Sequence, residues 1–188
     1  MRITGGELRG RTLEGPGRLV VRPTTDKVRQ AVFNRLAGQV AGAHFVDLFA
    51  GMGVVGLEAL SRGASHVTWV EGNPKVYRIL AKNVNSLTSE EGMTLVCSKV
   101  IPFLKKVEAP VADLVWADPP YALDPLPILA AIIVSGIMRD AGWILIEHES
   151  RTALPAGIEG WALIDERRYG DTAIGTYARF VDQGPAKS

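Results

Sequence analysis

From Ala43 onward, short apolar runs alternate with stretches of helical period, the pattern of βαβ units and a parallel sheet. Residues 44–49 read as the first strand, followed by a glycine-rich loop and a helix to about Ser61. Residues 66–71 are the second, and Pro74 opens a helix to about Ser86, because a first helical turn has no N–H bond for proline to lose. Residues 93–98 are the third, with a short amphipathic turn through Lys106. Residues 112–117 are the fourth, a helix covers 126–138, and residues 143–148 are the fifth. The pattern then changes. Residues 161–169 and 172–181 are two extended runs separated by Gly170-Asp171, a hairpin signal, so the sheet should end in an antiparallel pair.

Ahead of this alternation, residues 2–13 carry Gly5, Gly6 and Gly10 among β-formers and read as a small hairpin. Thr24 and Thr25 are candidate N-caps for a helix to about Leu36. On that helix Val28, Val32 and Leu36 share one face, and the other shows Lys27, Arg29 and Arg35. The expected division is a basic extension over residues 1–40 and a body over 41–183.

Charge sharpens that division. The 188-residue chain has a net charge of only +1, yet residues 1–35 hold eight basic and three acidic side chains, +5, against −4 for the rest. Such a segment is either a handle for polyphosphate or an arginine-rich solvated surface. One cysteine excludes an internal disulfide, and three scattered histidines offer no metal-ligand spacing. Cys97 reads as a small buried residue. No signal pattern and no apolar stretch near the roughly 20 residues of a membrane span is present, so a cytoplasmic, metal-free protein is expected.

The candidate chemistry lies at strand ends. Asp47-Leu48-Phe49-Ala50-Gly51-Met52-Gly53-Val54-Val55-Gly56 joins the first strand to its helix. Its glycines permit close backbone approach, and the helix start offers unpaired N–H groups. The glycine spacing alone would suit a dinucleotide pyrophosphate equally well. Asp47 favours another ligand, since a carboxylate there can meet the cationic amino-acid end of S-adenosylmethionine. Glu71 ends the second strand where an acidic side chain can bond ribose hydroxyls. Ser98, with Cys97, would flank an adenine ring. Glu147 and Glu149, on either side of His148, read as a solvated strand edge.

Asp118-Pro119-Pro120-Tyr121 closes the fourth strand. The exocyclic amine of a nucleobase is a poor nucleophile because its lone pair is delocalised into the ring. Acceptors for both N–H groups, Asp118 and the rigidly held Pro119 carbonyl, would aim that lone pair at an electrophile such as a sulfonium methyl. Tyr121 can stack on the base face.

With the glycine loop, Glu71 and this tetrapeptide in order, the chain resembles the class I S-adenosylmethionine-dependent N-methyltransferases. Arg2-Ile3-Thr4-Gly5-Gly6-Glu7-Leu8-Arg9-Gly10-Arg11, Arg22-Pro23-Thr24-Thr25-Asp26-Lys27-Val28-Arg29-Gln30-Ala31-Val32-Phe33-Asn34 and Arg168-Tyr169-Gly170-Asp171-Thr172 are similar to the RsmD family of bacterial 16S rRNA guanine-N2 methyltransferases. The likeness runs from Arg2 to about Phe180. It implies an α/β fold with a Rossmann-like class I methyltransferase sheet, mostly parallel, with a C-terminal antiparallel hairpin and a small N-terminal hairpin-helix extension. It implies methyl transfer to N2 of one guanine in 16S rRNA of the 30S particle; separately, a monomer is expected. Asp118, Pro119, Pro120 and Tyr121 would form the catalytic set. Asp47, Phe49, Ala50, Gly51, Gly53, Gly56, Glu71 and Ser98 would hold S-adenosylmethionine, and Arg9, Arg11, Arg22, Thr24 and Arg29 the RNA. Many relatives have Asp or Asn-Ala where this chain has Lys99-Val100, which leaves adenine recognition to backbone or Ser98.

Two other readings use the same residues. The tetrapeptide also serves DNA adenine and cytosine N-methyltransferases, although this chain leaves little room for a separate target-recognition domain. A nucleic-acid-binding assembly factor without turnover would have no need of Asp118 or the glycine loop.

Overall fold

The apolar runs become five parallel strands: β1 (His44–Leu48), β2 (His66–Glu71), β3 (Met93–Cys97), β4 (Ala112–Ala117) and β5 (Met138–Glu149). Three more, β6 (Gly157–Ile158), β7 (Trp161–Tyr169) and β8 (Thr172–Arg179), continue the sheet antiparallel, giving the order β3-β2-β1-β4-β5-β8-β7-β6. This computed structural model describes residues 1–15, 25–88 and 91–180.

The helices are α1 (Asp26–Arg35), α2 (Val54–Ser61), α3 (Pro74–Leu87), α4 (Val100–Leu104) and α5 (Pro125–Val134). Alternate strand residues feed two apolar layers. Phe45, Trp69, Trp116 and Leu145 pack in one layer with residues of α1, α2 and α3. Val46, Val70, Val115 and Ile146 pack in the other with residues of α4 and α5. Burial on both faces is why β1, β2 and β4 read as continuous apolar runs rather than alternating ones. The order of strands reverses between β1 and β4, and that switch point opens a crevice beyond their carboxyl ends.

Three sequence expectations change. The helix expected over 126–138 stops at Val134, because Gly136 adopts φ 70° and Met138 already starts β5. The hairpin expected over 2–13 forms without regular strands: its arms meet at an antiparallel bridge between Arg2 and Thr12, flanked by the Ile3 N–H to the Arg11 carbonyl at 3.0 Å and the Leu13 N–H to the Met1 carbonyl at 2.9 Å. Its turn also docks on the end of α2, where the Glu7 N–H donates to the Ser61 carbonyl at 2.8 Å and the Leu8 N–H to the Ser61 hydroxyl at 2.8 Å. Cys97 is exposed, at the end of edge strand β3.

The N-terminal residues share the main core, with Ile3 and Leu13 packed in the layer that holds Val32 and Phe33. Glu58 of α2, fully buried, fastens that seam. It accepts the Thr4 N–H at 2.8 Å, the Thr4 hydroxyl at 2.7 Å, Arg29 Nε at 3.2 Å and Arg62 Nη2 at 2.8 Å. Arg29 also donates to the Arg2 carbonyl at 2.7 Å and to Asp26 at 3.0 Å.

Candidate functional site

Immediately after β1 the chain turns sharply at Phe49, whose φ of 63° is unusual for a residue with a side chain. Backbone strain of this kind concentrates at functional sites. The turn is fixed from the neighbouring strand, since the Ala50 N–H donates to the Val70 carbonyl at 3.0 Å and the Gly51 N–H to Glu71 Oε2 at 2.9 Å. Glu71 Oε1 accepts the Asn73 N–H at 2.7 Å, and Asn73 in turn caps α3 through the Lys75 N–H.

These loops and the end of β4 enclose a cavity of about 580 Å³, the size of a small-molecule site. Asp47, Phe49, Ala50, Gly51 and Glu71 line one part; Asp118, Pro119, Pro120 and Tyr121 line another. The two predicted groups therefore face a single space. The Tyr121 hydroxyl bonds Thr172 Oγ1 at the start of β8, which fixes the ring.

Side-chain alternation aligns four carboxylates along the cavity. Glu71, Asp47 and Glu147 each lie two residues beyond Trp69, Phe45 and Leu145, members of the α1–α3 layer, and Asp118 lies two beyond Trp116. Their strands are neighbours in the order β2-β1-β4-β5; Asp118 and Glu147 stand level, Glu71 ends β2, and Asp47 lies one pleat back, in register with Trp69 and Trp116. Asp47 is 1% exposed, and burial pushes its pKa up to about 8. A hydrogen bond of 2.9 Å from the Gly56 N–H opposes the rise, while the Asp118 and Glu71 charges add to it. That bond also caps α2, whose N-cap is Gly53 and has no side chain to do so.

Other predicted residues fall elsewhere. Gly53 and Gly56 do not line the cavity. A Cβ on Gly56 would sit 2.1 Å from Trp69 Nε1, so this glycine serves helix–sheet packing. The Ser98 hydroxyl bonds the Lys99 carbonyl at 3.0 Å, outside the cavity wall, because the cavity extends from β2 toward β5 and not toward β3. Arg29, expected on the solvent face of α1, is 1% exposed and tied to Glu58, so it belongs to the seam rather than to an RNA-facing surface. Arg9 and Arg11 are exposed, away from the cavity. Arg22 and Thr24 lie outside the described residues.

The structure adds wall residues that sequence did not single out, including Thr25 and Val28 of the α1 start and Tyr169 and Thr172 of the terminal hairpin. Glu147 is 7% exposed, not solvated as its place beside His148 suggested. Its two-residue spacing from Leu145 is the signal that could have placed it. Among the described residues, no group of three or more His, Cys, Asp or Glu could hold a metal ion, and no helix is long and apolar enough to cross a membrane.

The family model described as Conserved hypothetical protein 95 matches residues 1–178. Ribosomal RNA small subunit methyltransferase D of Escherichia coli K12 is 36% identical over 180 residues, spanning 95% of this chain and 90% of that protein. The Haemophilus influenzae protein of the same name is 31% identical over 180 residues, spanning 94% and 93%. A solved structure of the Escherichia coli yhhF protein matches with a TM-score of 0.85 at 37% identity, covering 95% of this chain and 97% of that one. Matched over residues 1–178 by the family model and over 95% of its length by a relative and a solved structure, the chain belongs to the Conserved hypothetical protein 95 family, the RsmD methyltransferases.

Proposed function

We propose that this enzyme transfers a methyl group from S-adenosylmethionine to the exocyclic N2 of a guanine in small-subunit rRNA within the 30S particle. The observation that carries the reading is the shared cavity, in which Asp118, Pro119 and Tyr121 face the same space as the Gly51 loop and Glu71. The name borne by the Escherichia coli and Haemophilus influenzae relatives supports ribosomal RNA of the small subunit as the substrate.

The residues suit this cofactor. Asp47 offers a carboxylate to a cationic amino-acid end, and Glu71 keeps acceptor capacity for ribose hydroxyls beyond its two backbone donors. When bound, S-adenosylmethionine supplies an electrophilic methyl on a sulfonium. The chain's own part is orientation and polarity. Asp118 and the Pro119 carbonyl accept the two amine hydrogens, and the carboxylate stabilises the positive charge that develops on the nitrogen. The Tyr121 ring, held by Thr172, supports the base face.

The basic extension over residues 1–40 holds RNA phosphates through Arg9 and Arg11. The enzyme acts as a cytoplasmic monomer. Mapping the product by mass spectrometry, after incubation with unmodified 30S particles and with duplex DNA, tests the function. N2-methylguanine at one rRNA position is expected. Methylation of DNA adenine or cytosine in preference would reverse the conclusion.

A further inference from the structure

Resting on that reading, we infer that Glu147 selects guanine, by accepting the N1–H of the base whose 2-amino group is held at Asp118 and the Pro119 carbonyl. The Asp-Pro-Pro-Tyr segment reads an amine and nothing else, so it cannot distinguish guanine from adenine or cytosine. The bases differ in the ring nitrogen beside the amine-bearing carbon. In guanine that carbon, C2, is bonded to the ring N1–H, a donor. In adenine and cytosine the neighbouring ring nitrogen carries a lone pair. A carboxylate next to the amine acceptors therefore meets a hydrogen in guanine and a lone pair in the other two.

Glu147 stands at that place. Ala117 and Ile146 are the last register partners of β4 and β5, so Asp118 and Glu147 follow them on adjacent parallel strands, about 4.8 Å apart. Both side chains belong to the α1–α3 face and both line the cavity. Glu147 is 7% exposed, so its carboxylate would meet the base where little water screens it, and a lone pair set against that charge is repelled more strongly than it would be in solvent. A flipped base is read in this way, by hydrogen bonds along its Watson–Crick edge.

The test uses the full chain and two substrates. The methylated nucleotide is first mapped in unmodified 30S particles. The same position is then replaced by 2-aminopurine, which keeps the 2-amino group but lacks the 6-oxygen and has a lone pair at N1, and single-turnover rates are compared for wild type and Glu147→Gln, since only the change at residue 147 assigns the N1 contact. Wild type should favour guanine by roughly 10²–10³-fold. Glu147→Gln, whose amide can donate to N1 of 2-aminopurine, should bring the ratio within about tenfold. Binding of S-adenosylhomocysteine, measured by calorimetry, checks that the variant is folded; if it is not, Glu147→Ala takes its place and should likewise lose the preference for guanine. Equal wild-type rates on the two bases, or a ratio that Glu147→Gln leaves unaltered, overturns the inference while guanine remains the substrate. A product mapped to adenine or cytosine overturns the underlying reading and the inference together.

Discussion

Asp47 and Glu58 are both carboxylates with almost no exposure, one facing the cavity and the other locking the N-terminal seam, and their surroundings drive them in opposite directions. Around Asp47, burial and two further acids outweigh one N–H, and its pKa rises to about 8. Around Glu58, burial also pushes upward, but the Thr4 N–H and hydroxyl and the Arg62 guanidinium outweigh it and hold the carboxyl below its usual range. The seam completes its electrostatics within the chain. At the cavity the acids stand close enough for the Asp118 and Glu71 charges to raise the Asp47 pKa further.

The consequences for pH have opposite signs. Glu58 contributes stability that is fully present above its unfolded pKa and lost as pH falls through the lower folded value. Between the ordinary carboxylate range and about pH 8, the ligand-free fold keeps a proton on Asp47 that the unfolded chain releases, so stability falls as pH rises across that window.

The sharpest way to break the contrast is at the reacting amine. Asp118→Ala should lower kcat roughly 10²–10³-fold while S-adenosylmethionine affinity stays within about threefold, as measured by rapid quench and calorimetry. A variant still active within tenfold would remove Asp118 from the acceptor role.

Next in size is the seam. Arg29→Ala strands Glu58 without one of its cations and should cost about 3–5 kcal/mol in urea denaturation, with the salt dependence of RNA binding unchanged. Arg9→Ala with Arg11→Ala should do the reverse, leaving the urea midpoint in place and lowering the salt slope by about 1–2. A flattened slope in the Arg29 variant would return that residue to the RNA interface.

Asp47 gives a smaller, pH-dependent effect. If a bound cation requires the carboxylate, cofactor binding at pH 7 releases nearly one proton, and affinity rises by up to about tenfold per pH unit until pH 8. Calorimetry in two buffers of different ionisation enthalpy reads this directly, and Asp47→Asn should abolish it. Buffer-independent heats in wild type would show that Asp47 is already ionised.

The least effect is expected at the opposite edge of the sheet. There Asp113 pairs with Arg139 at 2.8 Å and accepts the His44 N–H at 2.8 Å, so charge is compensated but exposed. Arg139→Ala should cost less than about 1 kcal/mol and leave cofactor affinity unaltered. A cofactor effect there would mean that the edges are coupled.

Much of this was legible in local pattern. Apolar runs bounded by turn residues placed the strands, Gly170-Asp171 marked the terminal hairpin, and Asp118–Tyr121 was placed at a strand end. What was misread depended on packing partners far away in the chain. Arg29 sits among exposed positions on α1, yet Glu58 and the Arg2 carbonyl draw it inside. Gly56 fitted a ligand-loop spacing, yet the Trp69 indole is what excludes a side chain there.

By itself the sequence determined the elements, the strand-end chemistry and the charge asymmetry, because hydrophobic period, turn residues and charge act over a few neighbouring positions. Only the tertiary structure decided that β2, β1, β4 and β5 stand side by side, and so that Glu71, Asp47, Asp118 and Glu147 meet along one cavity. Strand order is set by crossovers and by burial on both faces of the sheet, and no local window of the chain carries that information.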